Sequence, residues 1–232
     1  MTQWLTQWSA WMKSSPFSTW ACNYVNNHNA ACRSSWFAVA AWIGDDELAH
    51  ALLTGAKEPQ WTNTSNSSMP YQHLGAPNCA GCGAPCSGTC GKAPIGGQIL
   101  KDGELPEEAG RVNSVGYTCA ETGNLFRLAQ LSRHPIVADT LTDDLYTYVS
   151  KSESSIRGAI DYLVPFALGE KKWPYPSEAA DWQLYAVLRQ AAAVWDNATY
   201  AQWATRTMDS GCGSVSCAGD SSNLWWPSPG SA

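Results

Sequence analysis

Apolar residues recur three and four apart along most of this chain. Trp4, Leu5, Trp8, Trp11 and Met12 mark an amphipathic helix over residues 2–13, and its aromatic stripe is expected to lie in the core. Ser14-Ser15-Pro16 ends it. Trp36, Val39, Ala40 and Ile43 set a second helix over residues 29–43, with Gly44 as its stop. Asp45 is placed to cap a third, with Asp46 and Glu47 at its positive end, Leu48, Ala51 and Leu52 on its apolar face, and Gly55 closing it. The pattern returns near Thr118 and runs to Ser132 through Leu125, Leu128, Ala129 and Leu131. Pro135 then opens a helix to about Val149 with Ile136, Leu141 and Leu145, and another spans Ser152–Leu168 with Ile156, Ile160 and Leu163. Trp173-Pro174-Tyr175-Pro176 reads as a rigid connector. After it, Ser177 is predicted to cap a long helix carrying Trp182, Tyr185, Leu188, Ala192 and Trp195, and Asn197 a last short one through Thr207. No alternation of period two is sustained anywhere. The predicted class is all-α, with helices in antiparallel pairs.

Residues 56–110 break this periodicity. They are rich in Gly, Pro, Asn, Ser and Cys, and a loop of that length is functional or an insertion. Cys79, Cys82, Cys86 and Cys90 run C-x2-C-x3-C-x3-C, a spacing compatible with zinc or with disulfides. Nine cysteines in 232 residues, with sequons at Asn63, Asn66 and Asn197, favour disulfides, glycosylation and secretion, and no metal is assigned. Cys212 and Cys217 form a candidate local pair in the tail. The expected organisation is one domain over residues 1–209, with the Cys-rich loop inserted at about 56–110, and a tail over 210–232. Thirteen Trp and nine Tyr suit an irregular core or a groove that stacks on sugar rings. A net charge of −6 argues against nucleic-acid binding, and no run reaches the roughly 20 apolar residues of a membrane span.

Asn26-Asn27-His28 stands at the start of the second helix. One Asn satisfies the unpaired N–H groups of a helix end, so a second amide and an imidazole point to a site for an anion. Taken singly, each candidate has a plainer reading. His28 is then a solvated residue behind a cap, Arg111 a loop arginine pairing Glu107 or Glu108, and Tyr117 a half-buried aromatic at a helix start. His50, His73 and His134 have no comparable company and are read as surface or capping residues.

In combination these residues resemble a known pattern. An Asn-Asn-His at a helix start is followed by Asp102-Gly103-Glu104-Leu105-Pro106-Glu107-Glu108, by Arg111, and by Tyr117. Ile160-Asp161-Tyr162-Leu163-Val164-Pro165 and Trp173-Pro174 come later. Their order resembles the alginate lyases of polysaccharide lyase family 5 and their superfamily, from about residue 20 to residue 195 outside the Cys-rich insert. The resemblance implies an α/α-toroid, here an N-terminally shortened, fungal-type secreted member, acting as a monomer without a cofactor. It also implies β-elimination on a polyuronate, with polymannuronate preferred. By that similarity Asn26, Asn27, His28 and Arg111 would bind the substrate carboxylate, and Tyr117 would be the acid/base.

The chemistry explains those residue types independently. Cleaving a 4-linked uronan by elimination requires loss of the C5 proton beside the carboxylate, and that proton is weakly acidic until the carboxylate charge is neutralised. Amide, imidazole and guanidinium donors stabilise the enediolate-like transition state. Where H5 and O4 share a face, as in mannuronate, one Tyr can take the proton and return it to O4; where they do not, His28 is the natural base and Tyr117 the acid. Another uronan, such as glucuronan, is an alternative substrate. A protein that kept the pocket without turnover would be a glycan-binding remnant.

Overall fold

The computed structural model describes residues 1–15, 18, 21–22, 26–54, 98–135, 144–149, 153–177, 182 and 184–211. The described elements are α1 (Thr2–Ser14), α2 (Asn27–Ile43), α3 (Asp46–Thr54), α4 (Pro106–Ala109), α5 (Ser114–Ser132), α6 (Ile156–Ala167), α7 (Tyr185–Val194) and α8 (Ala198–Gly211). The fold is all-α, and an isolated antiparallel bridge pairs Asn113 with Ser177.

Most helix ends follow local chemistry. Asn26 caps α2 through its side chain, and Gly44 closes that helix in the left-handed conformation (φ 76°) that glycine adopts without strain. Asp45 accepts the Leu48 N–H at 3.1 Å, and Asn197 accepts that of Thr199 at 2.9 Å. Lys13 reaches Asp45 at 3.1 Å, which ties the end of α1 to the start of α3.

The core forms where α2 and α5 pack together, with α1 and α3 against α2, α6 and α7 against α5, and α8 against α7. Trp36, Phe37 and Ala40 of α2 are buried with Leu125, Phe126, Leu128 and Ala129 of α5, Ile160 and Leu163 of α6, and Leu188 and Ala191 of α7. Arg33 is fully buried as well, and its Nη1 donates to the Leu52 carbonyl at 3.1 Å. A guanidinium is well matched to the negative carbonyl end of α3.

Several expectations are corrected. The α1 stripe does not enter the core as a whole: Trp4 and Trp11 are 63% and 52% exposed, and the contact face is instead Trp8, Ser9 and Met12. The reason is local, since the buried Trp36 indole N–H needs an acceptor and Ser9 Oγ supplies it at 3.0 Å. α5 begins at Ser114, four residues before Thr118, because Asn113 Oδ1 accepts the Gly116 N–H at 3.3 Å. A side chain at position 116 would collide with that cap, since a Cβ there would lie 2.6 Å from Asn113 Nδ2. Leu145–Thr147 form a turn, so the helix predicted from Pro135 does not reach Val149; residues 136–143 lie outside the described residues. Ser177 does not cap the helix that follows it, which starts at Tyr185. Its Oγ instead accepts the Val115 N–H at 3.3 Å, at the start of α5.

Within the segment predicted as loop, α4 is a buried helical turn, and residues 55–97 lie outside the described residues. Cys79, Cys82, Cys86, Cys90, Cys212 and Cys217 lie there or in the tail, as do His73, Asn63 and Asn66, and the side chain of His50 is likewise not described. The disulfide that is described joins Cys22 to Cys32, a pair with no periodic signal in the sequence.

Candidate functional site

The site is assembled at one end of α2. Asn27 and His28 are its first residues, and the short chain from Glu104 through α4 to Tyr117 lies against them. Two devices fix that chain. Gly103 has φ +94°, and a Cβ there would lie 2.1 Å from the Gly158 carbonyl oxygen, so only glycine lets this turn close against α6. Glu104 then accepts hydrogen bonds from Tyr162 of α6 at 3.3 Å and from Tyr175 of the connector at 2.5 Å. Burial and the Glu104 carboxylate raise Tyr162 and push Tyr175 up to about 12, so both phenols stay protonated and keep donating.

The connector crosses the start of α5. Trp173 Nε1 donates to Ser114 Oγ at 2.7 Å, and Ser114 Oγ donates to the Pro176 carbonyl at 2.7 Å. Together with Ser177 on the Val115 N–H, this strap fixes the first turn of the helix that carries Tyr117. The Trp173–Ser177 segment thus supports the site rather than forming it.

Within the pocket, Arg111 is the meeting point. Its guanidinium carbon lies 3.5 Å from the centroid of the Tyr117 ring, a cation stacked on an aromatic face. Its Nη1 donates to Asn27 Oδ1 at 3.3 Å and lies 3.5 Å from Glu108 Oε2. Glu108 Oε1 accepts the Asn27 backbone N–H at 2.5 Å, and Asn124 Nδ2 donates to the Asn27 carbonyl at 3.4 Å. With Asn27 Oδ1 taken by Arg111, the amide nitrogen is the end offered to an anion. His28 is half-buried, and burial, followed by the neighbouring Arg111 charge, lowers its pKa below the usual imidazole value of 6.5. It is therefore neutral at neutral pH.

Asn27, His28, Arg111 and Tyr117 are brought together although they are up to 90 positions apart in the chain. Asn26 has a different job from the one expected of it. It is 3% exposed and its Oδ1 accepts the His28 N–H at 3.0 Å, so it shapes the helix end instead of facing the pocket. His134 is exposed at the opposite end of α2, where it stands edge-on to Phe37 and lines an open cavity of about 500 Å³ with Trp42 and Leu131. That cavity is roughly 15–20 Å along the helix from His28 and is separate from the site.

Three participants were missed in the sequence. There Glu108 has no role beyond its place in the Asp102–Glu108 motif and a possible pairing with Arg111, and Asn124 does not stand out. Glu121, one turn beyond Tyr117, is fully buried, neither of its carboxylate oxygens has a hydrogen-bond partner among the described residues, and burial followed by the Glu108 charge raises its pKa well above 4.5. The spacing of Tyr117 and Glu121, i and i+4, puts them on one helix face and was the available signal. Among the described residues no cluster of His, Cys, Asp and Glu is arranged to hold a metal ion.

Comparison with known proteins adds two findings. Residues 86–173 match the family model described as alginate lyase, a segment that includes Glu108, Arg111 and Tyr117 and ends at Trp173, the first residue of the strap. The fold is similar to the crystal structure of an alginate lyase from Bacteroides ovatus, with a TM-score of 0.63 and 23% identity over 89% of this chain. The chain spans 45% of the length of that protein. No curated protein matches it. Residues 86–173 are thus similar to the alginate lyase family, and the helical fold is similar to that of an alginate lyase.

Proposed function

We propose that the protein is a polysaccharide lyase that cleaves a 4-linked polyuronate, polymannuronate in preference, by β-elimination. The observation that carries this reading is the stacking of Arg111 on Tyr117 while the same guanidinium is hydrogen-bonded to Asn27. A carboxylate gripped by these donors lies next to a phenol, which is what abstraction of an α-proton requires.

In this reading the uronate carboxylate takes hydrogen bonds from the Asn27 amide nitrogen, from Arg111 and from His28. Its negative charge is balanced, and the C5–H bond becomes acidic enough to break. Tyr117 removes the C5 proton, the electron pair forms the C4=C5 double bond, and the C4–O4 bond breaks. For a syn substrate such as mannuronate, the proton then returns from Tyr117 to O4 of the leaving chain, so acid and base are one residue. Neutral His28 has an imidazole nitrogen able to accept a proton, which suits it to act as base on an anti substrate.

Export to an oxidising compartment belongs to the same proposal and is supported by the Cys22–Cys32 disulfide. Asn197 caps α8 through Oδ1, and a glycan on Nδ2 would leave that bond in place. No helix among the described residues is long and apolar enough to cross a membrane.

Tyr117→Phe tests the assignment. The ring remains for Arg111 to stack on while the proton carrier is lost, so kcat should fall by about 100-fold or more with an unchanged circular dichroism spectrum. Full activity in that variant would remove Tyr117 from the chemistry.

A further inference from the structure

Glu108 is 1% exposed, and it is an acid beside the groups proposed to hold a uronate carboxylate. A buried carboxylate beside an anion site works against binding unless it does something else there. Its two oxygens are divided between two elements. Oε1 takes the N–H of Asn27, the first residue of α2, which is one of the orphan donors of that helix end, and the next N–H, that of His28, goes to Asn26. Oε2 faces Arg111 Nη1 at 3.5 Å, and the same nitrogen reaches Asn27 Oδ1 at 3.3 Å.

We propose that Glu108 is the positioning residue of this pocket, holding the helix end that carries Asn27 and His28 and the guanidinium that lies on Tyr117 in one arrangement. The inference rests on the proposed lyase reading for its kinetic consequence, but not for its geometry. Three features support it. Arg111 is at the end of a flexible side chain, and a stacked guanidinium without an anchor slides over the ring face. The chain around Glu108 is rigid, because α4 is buried throughout and Gly103 and Glu104 clamp the preceding turn to α6. The neighbouring acid, Glu121, is pushed toward its neutral form by burial and by Glu108, and Glu108 is the carboxylate that receives the donors.

Glu108→Gln separates the roles, because the amide oxygen still accepts the Asn27 N–H while the charge that holds Arg111 is gone. In labelled protein the Arg111 side-chain protons are shielded by the Tyr117 ring, and Arg111→Lys identifies their signals. In Glu108→Gln that shielding should fall by at least half with a melting temperature within a few degrees of the parent. On polymannuronate kcat should fall about tenfold or more with KM unchanged or lower, since a guanidinium that keeps its Asn27 bond but loses the Glu108 charge still attracts the carboxylate and orients it less well. Glu108→Asp keeps the charge but cannot span both partners, so it should also lose shielding, and it serves if the Gln variant does not fold. Shielding retained in either folded variant overturns the proposal. A parent protein that forms no unsaturated product, while shielding still depends on Glu108, removes the lyase reading and leaves the positioning role standing.

Discussion

His28 and Glu121 are both pushed toward their uncharged forms, by different neighbours. Burial and Glu108 raise Glu121, so the folded state keeps a proton that the unfolded chain releases above about pH 4.5. With more protons bound in the folded state, the contribution of Glu121 to stability is fully present below that value and is lost as pH rises. Glu121→Gln should therefore raise the melting temperature at neutral pH and flatten its decline between about pH 4.5 and 8. Thermal denaturation across that range checks this, and an unchanged slope would show that Glu121 is ionised in the fold. His28 has the opposite sign. Its pKa is lowered, first by burial and then by Arg111, so its contribution is present above 6.5 and is lost as pH falls through the folded value. An NMR titration of its imidazole should give a midpoint below 6.5, and Arg111→Gln should move that midpoint upward.

Among the elements, those that hold the site are more demanding than the helices that carry it. Gly103→Ala puts a Cβ into the Gly158 backbone at a positive φ, and should cost about 3 kcal/mol in denaturant unfolding and displace α4 with Glu108. The Cys22–Cys32 bridge acts on the other side, since Asn29 ties the Cys22 carbonyl (2.7 Å) to Gln98 (3.2 Å) just behind His28. Replacing both cysteines by Ser should cost roughly 2–3 kcal/mol, measured under non-reducing conditions. The helices themselves were legible in the sequence. α1, α2 and α6 follow from apolar spacing, and the Asn26, Gly44, Asp45 and Asn197 ends follow from cap chemistry. The misreadings have a common cause, which is tertiary partners taking over local signals. Ser177 looks like a cap for its own helix but serves α5. Gly116 hid the start of α5, although the Asn113 cap is the reason a glycine is there. Trp4 and Trp11 extend a stripe that the chain does not bury, because Ser9 is the residue that faces Trp36. In the site, the polar cluster and its Arg and Tyr partners were legible from order and residue type. Glu108 as a hub was not, since nothing in a run of two glutamates, both of them buried, says which one meets Asn27 and Arg111.

At the scale of the molecule, two halves of the helical packing meet at the pocket. One is α2, fixed from behind by α1, α3 and the disulfide; the other is α5, fixed by α6, α7 and the Trp173 strap. Arg111 and Glu108 lie between them, and the Arg111 guanidinium rests on the Tyr117 ring. The similarity to the Bacteroides ovatus alginate lyase, over 45% of that protein's length, concerns the fold alone. The most direct measurement is to incubate the purified protein with polymannuronate, polyguluronate and glucuronan and follow the absorbance of the unsaturated uronate end, with the mass of the products as a cross-check. A chromophore that grows fastest on polymannuronate, in products one water lighter than hydrolysis would give, is the predicted result. Binding of these polymers with no chromophore from any of them would contradict the lyase reading and leave a protein that holds uronates without cleaving them.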